Sequence, residues 1–146
     1  MINLKTFTET NKPTVHEKTE IIDFLYNHLE NFGDPLQDIQ KAIDYSLHEI
    51  PSDGGFVTAL YDDEKIVGAV VINQTGMKDY IPENILVYIA THRDYRGKGL
   101  GKKLMQSAIK EANGNIALHV EPDNPAKYLY EKLGFTNKYL EMRLIK

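Results

Sequence analysis

The sequence predicts an α/β sandwich, one mixed sheet covered by helices. Three observations carry that prediction. Apolar runs of strand character alternate with stretches of helical periodicity, in the order β, α, α, β, β, β, α, β, α, β. The run Ile85-Leu86-Val87-Tyr88-Ile89-Ala90 passes through a glycine-rich turn into Leu100, Leu104 and Ala108, which recur every four residues with Met105, Ile109 and Ala112 beside them. The 146 residues suit one domain, 1–146, and a chain of that size buries roughly 68–70% of its unfolded surface.

Residues 2–7 read as a short edge strand. Between Val15 and Phe32, the spacings of Ile22, Leu25, Leu29 and Phe32 predict a helix, which Asn31-Phe32-Gly33 ends. Asp34-Pro35-Leu36-Gln37 is a start signal, with Asp34 as N-cap, Pro35 at the first helical position and Gln37 placed for a capping box. Leu36, Ile39, Ile43, Leu47 and Ile50 give this second helix its apolar face. Pro51-Ser52-Asp53-Gly54-Gly55 is a loop. Residues 56–61 and 65–73 predict a hairpin turning at Asp62-Asp63-Glu64, with Gly68 marking a bulge. After a polar connection over 74–82 come the strand at 85–90, the glycine turn and a helix that Asn113-Gly114 stops. Residues 116–121 read as a strand. Asp123 or Asn124, with Pro125, starts a helix that ends at Gly134, and 140–145 closes the chain as a last strand. Repeats, low-complexity tracts and linkers are absent from the sequence.

The glycine turn, Arg96-Gly97-Lys98-Gly99-Leu100-Gly101-Lys102-Lys103, points to a phosphate. A helix N-terminus has unpaired N–H groups and a partial positive charge, and glycine lets a ligand approach without meeting a Cβ. Arg96, Lys98, Lys102 and Lys103 add full charges at the same spot. The P-loop pattern has no register here, and G-x-G-x-x-G fails because Lys102 stands where the third glycine belongs. His92-Arg93-Asp94 imitates a kinase catalytic loop, yet Gly99 occupies the position of its asparagine.

What does fit is Arg-x-x-Gly-x-Gly at Arg96, Gly99 and Gly101. That pattern resembles the acetyl-CoA motif of the GCN5-related N-acetyltransferase (GNAT) superfamily. Asn124-Pro125-Ala126-Lys127-Tyr128-Leu129-Tyr130-Glu131-Lys132-Leu133-Gly134-Phe135 resembles the second signature of that family, and the two motifs stand in the family's order and spacing. The resemblance is specific from residue 85 to 135 and topological before that. It implies a mixed, mostly antiparallel sheet with splayed central strands, flanked by about four helices, and acetyl-CoA as co-substrate for direct acetyl transfer to a primary amine of a small molecule or peptide.

Composition agrees. The chain is 42% hydrophobic and 26% charged, as in an ordinary globular protein. It has no cysteine, which excludes disulfides, thiolate metal sites and a cysteine nucleophile, and no histidine has metal-ligand spacing with another ligand. A net charge of −4 offers no general attraction to nucleic acid. No apolar run approaches the ~18 residues of a membrane span, and Met1-Ile2-Asn3-Leu4-Lys5 lacks a signal peptide's apolar core, so a cytoplasmic location is expected. None of Ser46, Ser52 and Ser107 lies in a G-x-S-x-G setting, which leaves a serine hydrolase unsupported.

The resemblance also implies site residues. Backbone groups of Ile89, Ala90 and Thr91 would meet the pantetheine arm and the acetyl carbonyl. Those of Arg96, Gly97, Lys98, Gly99, Leu100, Gly101 and Lys102 would hold the pyrophosphate. Asn124 aligns with an asparagine that contacts the cofactor arm, and it equally suits a helix N-cap. Tyr130 aligns with the tyrosine that serves as general acid on the CoA sulfur; an unperturbed phenol, with a pKa near 10, is protonated at neutral pH. The base is less defined: the position of the histone-acetylating branch's glutamate is Ile85, Glu83 lies two residues earlier, and Tyr88, His92 and His119 are further candidates. Arg93 stands where proline is common, and either approaches the phosphates or faces solvent. Asp34, Asp79 and Glu83 are carboxylates able to attract a cationic acceptor. The rival function is a non-catalytic acyl-CoA-binding or sensing module, against which retention of Tyr130 speaks. Edge-strand pairing or helix packing offers routes to a homodimer.

Overall fold

The computed structural model describes residues 1–146. One five-stranded sheet has the order β1-β2-β3-β4-β5, formed by β1 (Ile2–Phe7), β2 (Gly55–Asp62), β3 (Lys65–Gln74), β4 (Asn84–Thr91) and β5 (Ile116–Leu118). The first four pair antiparallel and β5 runs parallel to β4. Helices α1 (Val15–His28) and α2 (Leu36–Ser46) cover one face. The other face carries α3 (Leu100–Glu111) and α4 (Ala126–Lys132).

Both faces of β2 and β3 are covered, which is why these strands read as nearly continuous apolar runs. Ile21, Phe24 and Leu25 of α1, with Ile39 and Ile43 of α2, pack on Val57, Ala59, Ala69 and Val71. Leu100, Leu104, Met105 and Ala108 of α3 pack on Leu60, Val67, Val70 and Ile72. The α1 N-terminus is a reciprocal capping box: the Glu17 N–H donates to Thr14 Oγ1 (3.1 Å) and the Thr14 N–H to Glu17 Oε1 (2.9 Å).

Several expectations shift. The first helix stops at His28 instead of Phe32, because Glu30 takes a left-handed backbone (φ 55°) and the chain tightens into a 3₁₀ turn over Glu30–Phe32. Asp34 does not cap α2. Pro35 is its N-cap, and the Asp34 carboxylate accepts the Tyr88 hydroxyl at 2.5 Å instead. In α2 the expected apolar face holds at Ile39, Ile43 and the C-cap Leu47; Leu36 is exposed, and the helix ends at Ser46, which leaves Ile50 beyond it and only half-buried. The expected strand over 116–121 forms only at Ile116–Leu118, and 136–146 has no regular structure where a strand was expected over 140–145. Alternation in a sequence shows which side chains would share a face, but a strand also needs a neighbour's N–H and C=O groups. In this structure nothing pairs with the tail.

Two register shifts set up the rest. Leu60 pairs with Gly68 and Tyr61 with Ile66, which leaves Val67 extra and places the bulge beside Gly68, as its sequence position suggests. On β4, Ile72 pairs with Leu86 and Val71 with Tyr88, so Val87 is extra. That bulge reverses the alternation. Leu86 packs on the α3 side, whereas Tyr88 and Ala90 pack on the α1–α2 side.

Gly68 also lets α3 lie close to the sheet, because a Cβ there would stand 2.9 Å from Leu104 Cδ1 and 3.3 Å from Leu60 Cδ1. Both leucines are fully buried. Gly68→Val is therefore expected to lower unfolding stability by about 2 kcal/mol, read as a drop in the urea midpoint at unchanged m. An unchanged midpoint would show that α3 does not need this close approach.

Candidate active site and cofactor cleft

The cleft begins where β4 and β5 part. Their parallel pairing covers Asn84↔Ile116, Ile85↔Ala117 and Leu86↔Leu118, after which β4 continues from Val87 to Thr91 with no partner on that side. Asn84, 1% exposed, pins the paired end: its Nδ2 donates to the carbonyls of Asn113 (2.9 Å) and Asn115 (3.2 Å). At the open end the His92 N–H donates to the Val67 carbonyl (2.8 Å), with Thr91 opposite Gly68 and Ala90 opposite Ala69. Strand alternation then turns the N–H and C=O groups of Ile89 and Thr91 toward the gap, while those of Ala90 face β3. The bulge at Val87 presents this edge.

The glycine turn lies beside it. Gly97 and Gly99 both have φ 78°, and a Cβ on either would meet no protein atom within 4 Å. These two glycines thus answer a backbone requirement over open space. Gly101 differs: its Cβ would lie 3.4 Å from Leu129 Cδ2, where α3 approaches α4. Gly99 is the α3 N-cap and supplies no side-chain acceptor, and the first turn of α3 holds no acidic residue. The backbone N–H groups from Arg96 to Lys102 find no acceptor within the chain. Unpaired N–H groups at the positive end of a helix dipole form an anion cradle. Lys102 and Lys103 are exposed beside it, and Lys98 Nζ lies 4.9 Å from the Tyr95 ring centroid. These residues fit a phosphorylated ligand.

Arg96 departs from expectation in its side chain. The guanidinium donates to the His28 carbonyl (3.0 Å) and to Glu30 Oε1 (3.3 Å), so its charge is paired with Glu30. Arg93 takes a related role, with Nη2 donating to the Asn27 carbonyl at 2.7 Å. The last carbonyls of a helix lack partners within it, and two arginines from the loop after β4 satisfy those of Asn27 and His28 in α1. The Arg93 N–H also donates to His28 Nδ1 (3.2 Å), and the His28 and His92 rings lie 4.2 Å apart. His92 Nδ1 accepts the Asp94 N–H (3.1 Å), which caps the 3₁₀ turn Arg93–Tyr95. The sequence signal for this junction was limited to Arg93 replacing the customary proline.

Tyr130 is 7% exposed and shares the α3-side core with Leu86, Leu100 and Phe135, whereas Tyr128 is 60% exposed. Its hydroxyl makes no hydrogen bond within the chain, and burial pushes its pKa up to about 12. Asn124 Oδ1 accepts the Ala126 N–H (3.0 Å), a capping contact at the start of α4. Glu83 sits at the paired end of β4, where Oε1 accepts the Asn115 N–H (2.9 Å) and holds the carboxyl below its usual range. Tyr88, packed beneath α1 and α2, has its pKa raised by burial and by Asp34. Asp79 and His119 are exposed. No group of three or more His, Cys, Asp or Glu side chains is arranged to hold a metal ion. No helix is long and apolar enough to cross a membrane.

An open strand edge beside a helix-terminal anion cradle defines an α/β protein built for a ligand with a phosphate end and an extended arm. The comparisons agree with that class. Residues 20–135 match the acetyltransferase (GNAT) family, and the chain belongs to that family. It is 29% identical over 96 residues to N-alpha-acetyltransferase 30 of Schizosaccharomyces pombe, covering 62% of this chain and 62% of that relative. In fold it is similar to the ribosomal-protein-S18-alanine N-acetyltransferase of Escherichia coli, with TM-score 0.68 and 18% identity over 93% of this chain and 78% of that one. It is also similar to the aminoglycoside N-acetyltransferase AAC(6')-Iy in complex with CoA, with TM-score 0.71 and 15% identity over 100% of this chain and 95% of that one. The family uses acetyl-CoA as co-substrate.

His28 gives this junction a pH dependence. Burial first, then His92, Arg93 and Arg96, lowers its pKa below 6.5, so the unfolded chain takes up this proton at a higher pH than the folded one. The contribution of neutral His28 is therefore present above pH 6.5 and is lost as the pH falls from there through the folded pKa. Tm is expected to fall on acidification across this window, and His28→Asn is expected to reduce the fall. An identical fall in the variant would remove His28 from the account.

Proposed function

We propose that this chain transfers the acetyl group of acetyl-CoA directly to a primary amine. The observation that carries the reading is the row of N–H groups from Arg96 to Lys102, without acceptors in the chain, beside the open edge of β4. The N–H groups of Gly97, Lys98, Gly99, Leu100 and Gly101, with their neighbours Arg96 and Lys102, hold the pyrophosphate. The N–H groups of Ile89 and Thr91 and the C=O group of Ile89 hold the arm, and one of these N–H groups polarises the acetyl carbonyl; the Thr91 carbonyl also accepts from Arg96 Nη2 at 3.5 Å. Ala90 fixes this edge through its bonds to β3, and Asn124 keeps the start of α4 in place beside the arm.

The neutral amine nitrogen attacks the acetyl carbon, a C–N bond forms, and the C–S bond of the thioester breaks. The sulfur leaves with a proton, for which Tyr130 is the donor. A phenol with a pKa of about 12 stays protonated throughout the neutral range. Glu83 has a lowered pKa and an occupied oxygen, which favours passage of the amine proton to water. For the acceptor, Asp34 is the carboxylate placed to attract a cation: it is exposed at the α1–α2 connection and is fixed there by the Tyr88 hydroxyl. A cationic small molecule or the amine of a peptide fits this charge.

Tyr130→Phe is expected to lower kcat about a hundredfold with little change in the KM for acetyl-CoA. In the unsubstituted enzyme the rate should not decline through pH 10.0, the ordinary tyrosine value, because the donor keeps its proton to about 12. Thiol release across a panel of amines measures both. An unchanged kcat in Tyr130→Phe would assign the proton to another donor, and cofactor binding without turnover of any amine would favour a sensing module.

A further inference from the structure

We propose that the recess between α1 and the start of β3 is a second small-molecule site, which takes a free amino acid as its zwitterion. The recess has a volume of about 400 Å³, within the range of small-molecule sites. It shares no residue with the cradle from Arg96 to Lys102 or with the strand edge from Ile89 to Thr91, and is therefore separate from the cofactor cleft. Its two apolar lining residues, Phe24 and Ile66, are both buried, and the rest of its lining is polar, with unlike groups at its two ends.

One end presents hydrogen-bond donors. His28 and His92 both line the recess, with ring centroids 4.2 Å apart. His28 Nδ1 accepts the Arg93 N–H (3.2 Å) and His92 Nδ1 accepts the Asp94 N–H (3.1 Å). A ring nitrogen that accepts carries no proton, so in both rings the proton sits on Nε2, which has no partner within the chain. Two adjacent rings, each with a free N–H donor, suit a carboxylate. The same tautomer offers a metal ion no lone pair at Nε2. Lys65 adds a full positive charge at this end: its Nζ lies 5.3 Å from the centroid of the Tyr95 ring, which meets His92 edge-on at 5.6 Å.

The other end is acidic. Glu20 and Asp23 line it from α1. Their neighbours Glu17 and Lys18 are ion-paired with Lys5 and Asp44, whereas Glu20 and Asp23 are in no ion pair within the chain. An ammonium supplies the missing partner. A cation alone would leave the imidazole donors unused, and an anion alone would face two carboxylates; a zwitterion satisfies both ends. Asp23 and Glu20 precede His28 by about 7.5 and 12 Å along the helix axis, at about 1.5 Å per residue. A hydrogen bond of about 3 Å at each end then leaves roughly 1.5–6 Å between the charged groups of the ligand, the dimension of a single amino acid.

The test is a titration of the full chain without acetyl-CoA, followed by the imidazole nitrogen resonances. The probes are L-alanine and γ-aminobutyrate, with butylamine and butyrate as analogues that each keep one charge. Saturable shifts at Nε2 of His28 and His92 are expected with at least one of the two amino acids, and binding at least about tenfold weaker with both analogues. Glu20→Gln/Asp23→Asn should weaken the amino acid by a similar factor, whereas Asp34→Asn, on the acceptor side of the proposed reaction, should leave it unchanged. No saturable shift with either amino acid overturns the site, as does an analogue that binds as tightly as the amino acid. A loss in Asp34→Asn at least as large as that in Glu20→Gln/Asp23→Asn also overturns it. If the double variant fails to fold, the comparison of the four probes on the unsubstituted chain decides.

Discussion

The parallel pairing of β4 with β5 stops at Leu86, and the cleft exists because it stops there. The extra residue at Val87 makes the interruption productive. Without that bulge the alternation along β4 would continue unchanged, and Ile89 and Thr91 would turn their backbone groups to β3. With it, Tyr88 and Ala90 remain anchored on the α1–α2 side while the neighbouring backbone groups face the gap. A one-residue shift in register therefore decides which residues present their backbone groups at the open edge: Ile89 and Thr91 instead of Tyr88 and Ala90.

The loop after β4 has two jobs, and its residues divide them. Gly97 and Gly99 take left-handed backbone in a turn whose N–H groups have no acceptor in the chain. Arg93 and Arg96 look the other way and close the C-terminus of α1 through the carbonyls of Asn27 and His28. In the proposed reading, attraction for an anionic ligand would rest on the backbone, the helix dipole and the exposed lysines, since the Arg96 guanidinium is paired with Glu30. Because α1 leads directly to Asp34, the same junction links the cofactor side of the site to the connection where a cationic acceptor would bind. Asp34 in turn touches β4 through Tyr88, which gives that connection a second attachment.

Most of the fold was legible because its strongest signals are local. The two-residue hairpin between β2 and β3, the strand–turn–helix unit around Gly99 and the apolar stripe of α3 appear in the structure where periodicity and turn residues place them. Asp34 was misread as a cap because the better hydrogen-bond donor, Tyr88, is 54 residues away in sequence. The arginine contacts to α1 span 66 and 68 residues and leave no local trace. Tyr130 could be preferred to Tyr128 by motif; its burial beside Ala126 and Leu133 suits a core aromatic as well as a proton donor. The last strand failed because pairing is a property of two segments, and the pattern of residues 140–145 described one of them.

The account's central claim is that the turn from Arg96 to Lys102 is an anion cradle for the CoA moiety. Calorimetric titration with acetyl-CoA, with Gly99→Glu beside the unsubstituted chain, tests it most directly. Glutamate at this position would combine a strained backbone at φ 78° with a negative charge at the mouth of the cradle. The account predicts saturable one-to-one binding to the unsubstituted chain and a loss of at least about tenfold in affinity in the variant, which is about 1.4 kcal/mol. No binding to the unsubstituted chain, or equal binding to a folded Gly99→Glu, would contradict it.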